Sequence, residues 1–372
     1  MNDKTFAIHP GAFTALAMLL ALSAGGAQAA TSYSCKPLMD SSPEPVASQT
    51  HVFAINNRQQ AVGFALAPLN GQDRFAAAQW GRDRQAVRLN DNDGDFAVHS
   101  DAWDINDSGQ VVGQLYDRFM VSHAVTWING ELTKLPNLHG QTGGSAAMAI
   151  NGRGKIAGRS EKKLLSGVTV DRATVWYQGR ATDLGALDES GNSVAYGIND
   201  DGVVVGDSFL AGQHGTLPAR WVGRNISALP VPKGAAGSAL DINKAGTIVG
   251  IVRPDGDVNW HAFAWQGDQG VEMGSPADAV STMANEINAA GAVVGMGKSK
   301  DDELTALLWP AIDADPVDLN TLVDKAGCVD AFGQPRRLSN ASSINDKGVI
   351  VADANADVQG NPRTFSFRLT PR

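Results

Sequence analysis

Apolar positions along the chain fall in short runs broken by asparagine, aspartate and glycine rather than at helical spacing. The block Ala239-Leu240-Asp241-Ile242-Asn243, followed by Gly246 and by Val249-Gly250, shows the pattern. The stretch A-x-x-I predicts a short strand, N-D-x-G a tight turn, and x-V-V-G the returning strand. Asparagine and aspartate hydrogen-bond their own turn backbone, and glycine accepts the positive φ that ends the turn. A variable loop leads to a third apolar strand ending in tryptophan, as in His261-Ala262-Phe263-Ala264-Trp265. A fourth strand, such as residues 131–138, closes the unit before a glycine- or serine-rich link.

The unit recurs seven times. Ile-Asn pairs end at Asn56, Asn106, Asn151, Asn199, Asn243, Asn288 and Asn345, spaced by 50, 45, 48, 44, 45 and 57 residues. Three residues later stands Gly109, Gly154, Gly202, Gly246, Gly291 or Gly348, with Gln59 in the first copy. Seven residues later stands Gly63, Gly113, Gly158, Gly206, Gly250 or Gly295, with Ala352 in the last. Trp80, Trp127, Trp176, Trp221, Trp265 and Trp309 hold one frame, and Phe367 takes their place in copy seven. Recurrence makes the asparagines turn formers rather than seven active sites, and makes the tryptophans packing groups between units.

Four strands in about 45 residues, seven times over, predict an all-β, seven-bladed β-propeller of four-stranded blades; a solenoid rung is usually shorter, about 20–30 residues. The ends agree. Copy seven stops after its third strand at 364–369, and the segment 33–38 stands where a fourth strand precedes the first unit. An N-terminal strand completing the last blade closes the ring and leaves no open edge. Residues 30–372 are therefore expected to form a single seven-repeat domain.

Repetition also answers the length, because 372 residues exceed the roughly 250–300 that one ordinary core supports. A net charge of −9 argues against nucleic acid as partner and offers no basic patch to anionic lipid. Lys4, an apolar run over 12–24 and Ala27-Gln28-Ala29 predict a signal peptide over residues 1–29. No later stretch approaches 18 apolar residues, so no membrane anchor is expected. The mature chain is expected to be a secreted or periplasmic monomer.

The units, above all Ala239 to Gly250 and His261 to Trp265, together with Asp183-Leu184-Gly185-Ala186-Leu187, resemble the bacterial family known as "probable extracellular repeat, HAF family". The resemblance covers nearly all of 33–372 and implies an exported bacterial protein. It brings no catalytic or binding residues to carry over.

No G-x-S-x-G, H-E-x-x-H or C-x-x-C is present, and Gly291 to Ser299 has the wrong spacing for a phosphate-binding loop. His123 and His261 occupy a freely varied repeat position without a partner at metal-ligand spacing. The expected function is a non-catalytic binding or surface scaffold whose partner is a glycan or a protein. Trp103 and Trp260 lie outside the tryptophan frame and are the aromatics expected to be exposed to a ligand. Two positions before the repeat asparagine stand Asp104, Asp241 and Glu286, on strands that line a propeller's channel. Convergent there, they would serve a cation or a glycoside-cleaving acid–base pair, the alternative reading. Asp91, Asp93 and Asp95 form a calcium-like loop without an EF-hand's glycine and glutamate placement, so calcium is the one cofactor to consider. The two cysteines, Cys35 and Cys328, are predicted to bond, because ring closure brings both to blade seven.

Overall fold

The computed structural model describes residues 32–40, 49–69, 72–91, 98–140, 143–212, 215–323, 327–330, 332–358 and 360–372, with side chains left aside over 67–73. The signal-peptide segment lies outside the described residues. Seven four-stranded antiparallel sheets form the blades of a seven-bladed β-propeller. In six blades the strands follow in chain order from the channel outward. In blade seven the outermost strand is the N-terminal segment Tyr33–Pro37, which pairs antiparallel with Asn361–Pro371, Cys35 opposite Leu369. Cys35 and Cys328 form a disulfide across this seam, with Cα atoms 5.2 Å apart. Cys328 lies in a small hairpin, Cys328–Val329 with Pro335–Arg336, on the link from blade six to blade seven.

The cores lie between blades. Val62 and Ala77 of blade one pack with Ala102, Ile105 and Trp127 of blade two, and Val351 of blade seven packs with Ile55 and Trp80 of blade one. All six framed tryptophans and Phe367 are at most 1 % exposed. Five of the indoles donate to a carbonyl on the preceding link: Met39, Asn90, Pro136, Pro230 and Gly274. This satisfies the polar edge of a ring whose apolar body fills the interface.

The repeat asparagines do more than form turns. Each Oδ1 accepts backbone N–H groups of its own turn, as Asn345 does from Lys347 and Val349. Each Nδ2 then donates to the backbone carbonyl of the next blade's asparagine, at 2.9–3.3 Å, from Asn56 to Asn106 and onward until Asn345 donates to Asn56. Seven bonds thus close a circle at one end of the channel. The six turn glycines have φ between 71° and 90°, and Gln59 adopts the same conformation at 62°. A side chain in this region is strained by about 1 kcal/mol, so Gln59→Gly is expected to raise the melting temperature by a few degrees at most. A calorimetric scan that shows a drop would refute this account of the turn.

Candidate functional site

The innermost strands are not regular. In all seven blades the register slips between the residues four and two positions before the asparagine, as between Ala102 and Asp104 or Ala239 and Asp241. One extra residue sits at each slip, which makes a β-bulge that bends the strand and re-aims a side chain. The extra residues are Phe53, Trp103, Met148, Tyr196, Leu240, Asn285 and Ser342. All seven line a cavity of about 460 Å³ in the channel, together with His51, Asn340, Asp104, Asp241 and Glu286. The bulge also explains the glycine seven residues after the asparagine. A Cβ there would lie 1.9–2.2 Å from a carbonyl oxygen of the innermost strand in each of the six copies that carry glycine.

The cavity has two unlike halves. Phe53 stacks on Trp103 with ring centroids 4.2 Å apart, and Met148, Tyr196 and Leu240 continue this apolar arc. Across from it runs a hydrogen-bonded arc. Asn285 Nδ2 donates to Asn340 Oδ1 at 2.8 Å, Asn340 Nδ2 to Ser342 Oγ at 3.1 Å, and Ser342 Oγ to Asp353 Oδ2 at 3.4 Å. His51 Nδ1 lies 3.0 Å from the same Asp353 oxygen. Burial opposes a charge on His51, but the field and hydrogen bond of Asp353 and the field of Asp101 outweigh it and hold the imidazole above 6.5.

The three carboxylates meet at this one cavity. Each also ties its blade to the next. Asp104 accepts the N–H of Ile105 and of Ile150, both at 2.7 Å; Asp241 accepts that of Ile287 at 3.0 Å; and Glu286 is hydrogen-bonded by Ser343 and by the Ile344 amide. They lie deep in the ring yet face the channel. Burial pushes Asp104 from the usual 3.8 up to about 7, against its two amide bonds, with a smaller push from Asp241. Burial likewise raises Asp241. Glu286 is raised well above 4.5 by burial first and then by the field of Asp241.

A raised carboxyl group holds in the folded chain a proton that the unfolded chain releases. Stability gained from that proton is present at low pH and lost as pH rises through the folded value. Between about pH 4 and 7 the protein is therefore expected to lose on the order of 2–4 kcal/mol through Asp104. His51, raised as well, acts in the same direction. Unfolding midpoints measured across this range test the sign; a midpoint that climbs steadily to pH 8 would contradict it, and Asp104→Asn should flatten the profile.

Trp103 belongs to the cavity, but neither it nor Trp260 stands exposed as expected: both are half-buried. The bulge folds Trp103 onto Phe53, and Trp260 is absent from the cavity wall, lying under the Arg253 guanidinium at 5.1 Å. Asp91 is buried, with its carboxylate 2.6 Å from Arg74 and 2.8 Å from Arg88. Asp93 and Asp95 lie outside the described residues. Among the described residues no group of three or more acidic, histidine or cysteine side chains is placed to hold a metal ion. No helix among them is long and apolar enough to cross a membrane.

Trp103 apart, the bulge residues were missed in the sequence because A-x-x-I reads as an unbroken strand. A signal was present all the same: the flanking alanine and isoleucine barely vary while the residue between them differs in every copy.

A family model described as "Protein of unknown function (DUF3466)" matches residues 131–364. No curated protein matches the chain. Among solved structures, one from a study of two prolyl endopeptidases is similar with a TM-score of 0.55 and 11 % identity, over 88 % of this chain and 51 % of that one. A Mycobacterium tuberculosis puromycin-hydrolyzing peptidase is similar with a TM-score of 0.54 and 10 % identity, over 91 % and 56 %. The chain thus spans about half the length of these peptidases, and at such identity the likeness is one of fold alone. A six-bladed Aleuria aurantia lectin gives a TM-score of 0.32 at 12 % identity, over 79 % of this chain and 97 % of that one.

Proposed function

The chain belongs to the DUF3466 family, and we propose that it is an exported, non-catalytic binding module that holds a ligand at the bulge-lined cavity of its channel. One observation carries this reading. Seven equivalent bulges, on an otherwise repetitive frame, present seven different side chains to a single cavity. A frame that only had to stand would have no use for such variety at one position. Its aromatic arc offers flat apolar faces, and its polar arc is preorganised by hydrogen bonds, the usual division of labour in a small-ligand site. Export is supported by the Cys35–Cys328 disulfide, a bond kept in oxidising compartments, and by the signal-like residues 1–29. Kinship with the HAF repeat proteins is part of the same reading, supported by the segment His261 to Trp265.

A surface glycan or a protein bearing one is the partner this reading favours, and binding through the outer loops is its rival. A glycan array probed with the disulfide-intact chain and with Phe53→Ala/Trp103→Ala is the test. At least about tenfold weaker retention of the double variant is expected, since stacking on these rings is worth more than 1 kcal/mol. Equal retention of a variant shown to be folded would move the site elsewhere. A glycoside-cleaving reading has Asp104, near pH 7, in its favour. It has less support, because the backbone amides that Asp104 and Asp241 accept hold these carboxylates as ties between blades. Release of a chromophore from aryl glycosides would restore it.

A further inference from the structure

We propose that the channel cavity takes an organic cation, a protonated amine on a compact body that also carries oxygen acceptors, of which an amino sugar is the simplest chemical class. The inference rests on the binding-module reading and names its ligand.

Four features of the cavity converge on this chemistry. First, Asp104, Asp241 and Glu286 share the cavity, and among the described residues no lysine or arginine lines it. Like charges brought together in a poorly solvated place repel, and they are relieved either by protons or by a cation that enters. Second, the opposite wall is aromatic, with Phe53 stacked on Trp103 and with Tyr196 beyond them. Ring faces attract an organic ammonium group and also accept the flat apolar face of a pyranose. Third, the indole Nε1 of Trp103 is buried without a hydrogen-bond partner. A buried N–H left unpaired is costly, and an ether or hydroxyl oxygen of the ligand would satisfy it once the stacked ring shifts to admit that oxygen. Fourth, no group of three or more such side chains among the described residues is placed to hold one metal ion. A larger cation, which spreads its contacts over separate carboxylates, fits where an inorganic ion does not.

The same groups couple binding to protons. Asp241 and Glu286 must lose their protons for the cation to gain their charge, as must Asp104. The other ionisable groups facing the cavity are His51, held by Asp353, and Tyr196, hydrogen-bonded to Asp207. A protonated His51 would oppose the ligand at low pH, so it acts in the same sense as the carboxylates. Affinity for a cation should therefore fall as the solution is acidified, although the ligand's own charge becomes more complete. That sign separates this site from simple stacking, which has no reason to weaken.

Isothermal titration of the full, disulfide-intact chain with glucosamine, N-acetylglucosamine and glucose tests the proposal. Near pH 7, glucosamine is expected to bind about tenfold tighter than either neutral sugar, and to lose most of that margin near pH 5. Asp241→Asn and Glu286→Gln each keep an oxygen acceptor but remove a charge, and each should cut the margin severalfold. If either variant fails to fold, the pH series on the unaltered protein decides alone. Neutral sugars that bind as tightly as glucosamine would overturn the cation while leaving the binding module in place. No binding of glucosamine, beside array binding that depends on Phe53 and Trp103, would do the same. An array without any such dependence would instead remove the binding-module reading on which the inference stands.

Discussion

Replacing Cys35 and Cys328 together by serine is expected to lower the free energy of unfolding by about 5 kcal/mol, because the bond spans 293 residues of chain. The cross-link restricts the unfolded chain far more than the folded one. In the folded ring its partners are already in place: the strand Tyr33–Pro37 is paired to Asn361–Pro371 along five residues. Blade seven should therefore still close without the disulfide, and the loss should appear as a lower urea midpoint rather than as a changed fold. The seam is also where unfolding should then begin, since backbone pairing, the buried Tyr33, Leu38 and Phe367 and a few hydrogen bonds to blade one are then what holds it. Urea unfolding of the oxidised protein against the double variant measures the effect. Equal midpoints would show that the seam is latched by packing alone.

A methyl group at the bulge should also be costly. In Gly113→Ala the new Cβ would lie 1.9 Å from the Asp101 carbonyl oxygen and 3.0 Å from the Ala102 Cα, both backbone atoms that move only with the innermost strand. Relief requires the bulge to open, and with it the placement of Trp103 and Asp104. A loss of about 3 kcal/mol or more, or failure to fold, is expected. Gly130→Ala is the matched control, since its Cβ would meet nothing within 4 Å and only its φ of 82° is unsuited to alanine. It should cost about 1 kcal/mol. Similar losses from the two substitutions would show that the bulge glycines answer to turn geometry, not to close approach.

These glycines mark where the sequence could be read and where it could not. The blade count, the four strands per blade and the ring closure were legible because each is a repeated or a missing unit, visible by alignment of the chain with itself. The Cys35–Cys328 bond was legible for the same reason, once the first strand was assigned to the last blade. Side-chain direction was not legible. Period two assigns Asp104 and Trp103 to opposite faces of a regular strand, whereas the bulge lets both reach the cavity. Nor was the second bond of each asparagine. Turn chemistry accounts for Oδ1 alone, and only the neighbouring blade shows what Nδ2 does. The acceptor for Nδ2 is 44 to 57 residues away in the chain for six of the seven bonds, beyond any local pattern.

The central claim is that ligand is held where the seven bulges meet, and Met148 is the one methionine on that wall among the described residues. Spectra of the protein labelled with 13C in its methionine methyl groups, recorded during titration with glucosamine and then with N-acetylglucosamine, read the cavity directly. The Met148 methyl resonance is expected to shift in step with the binding heat, while Met273, buried in the core between blades five and six, and Met120, exposed on an outer loop, stay in place. Binding heat with Met148 unmoved, or with the shift confined to Met120, would contradict the account.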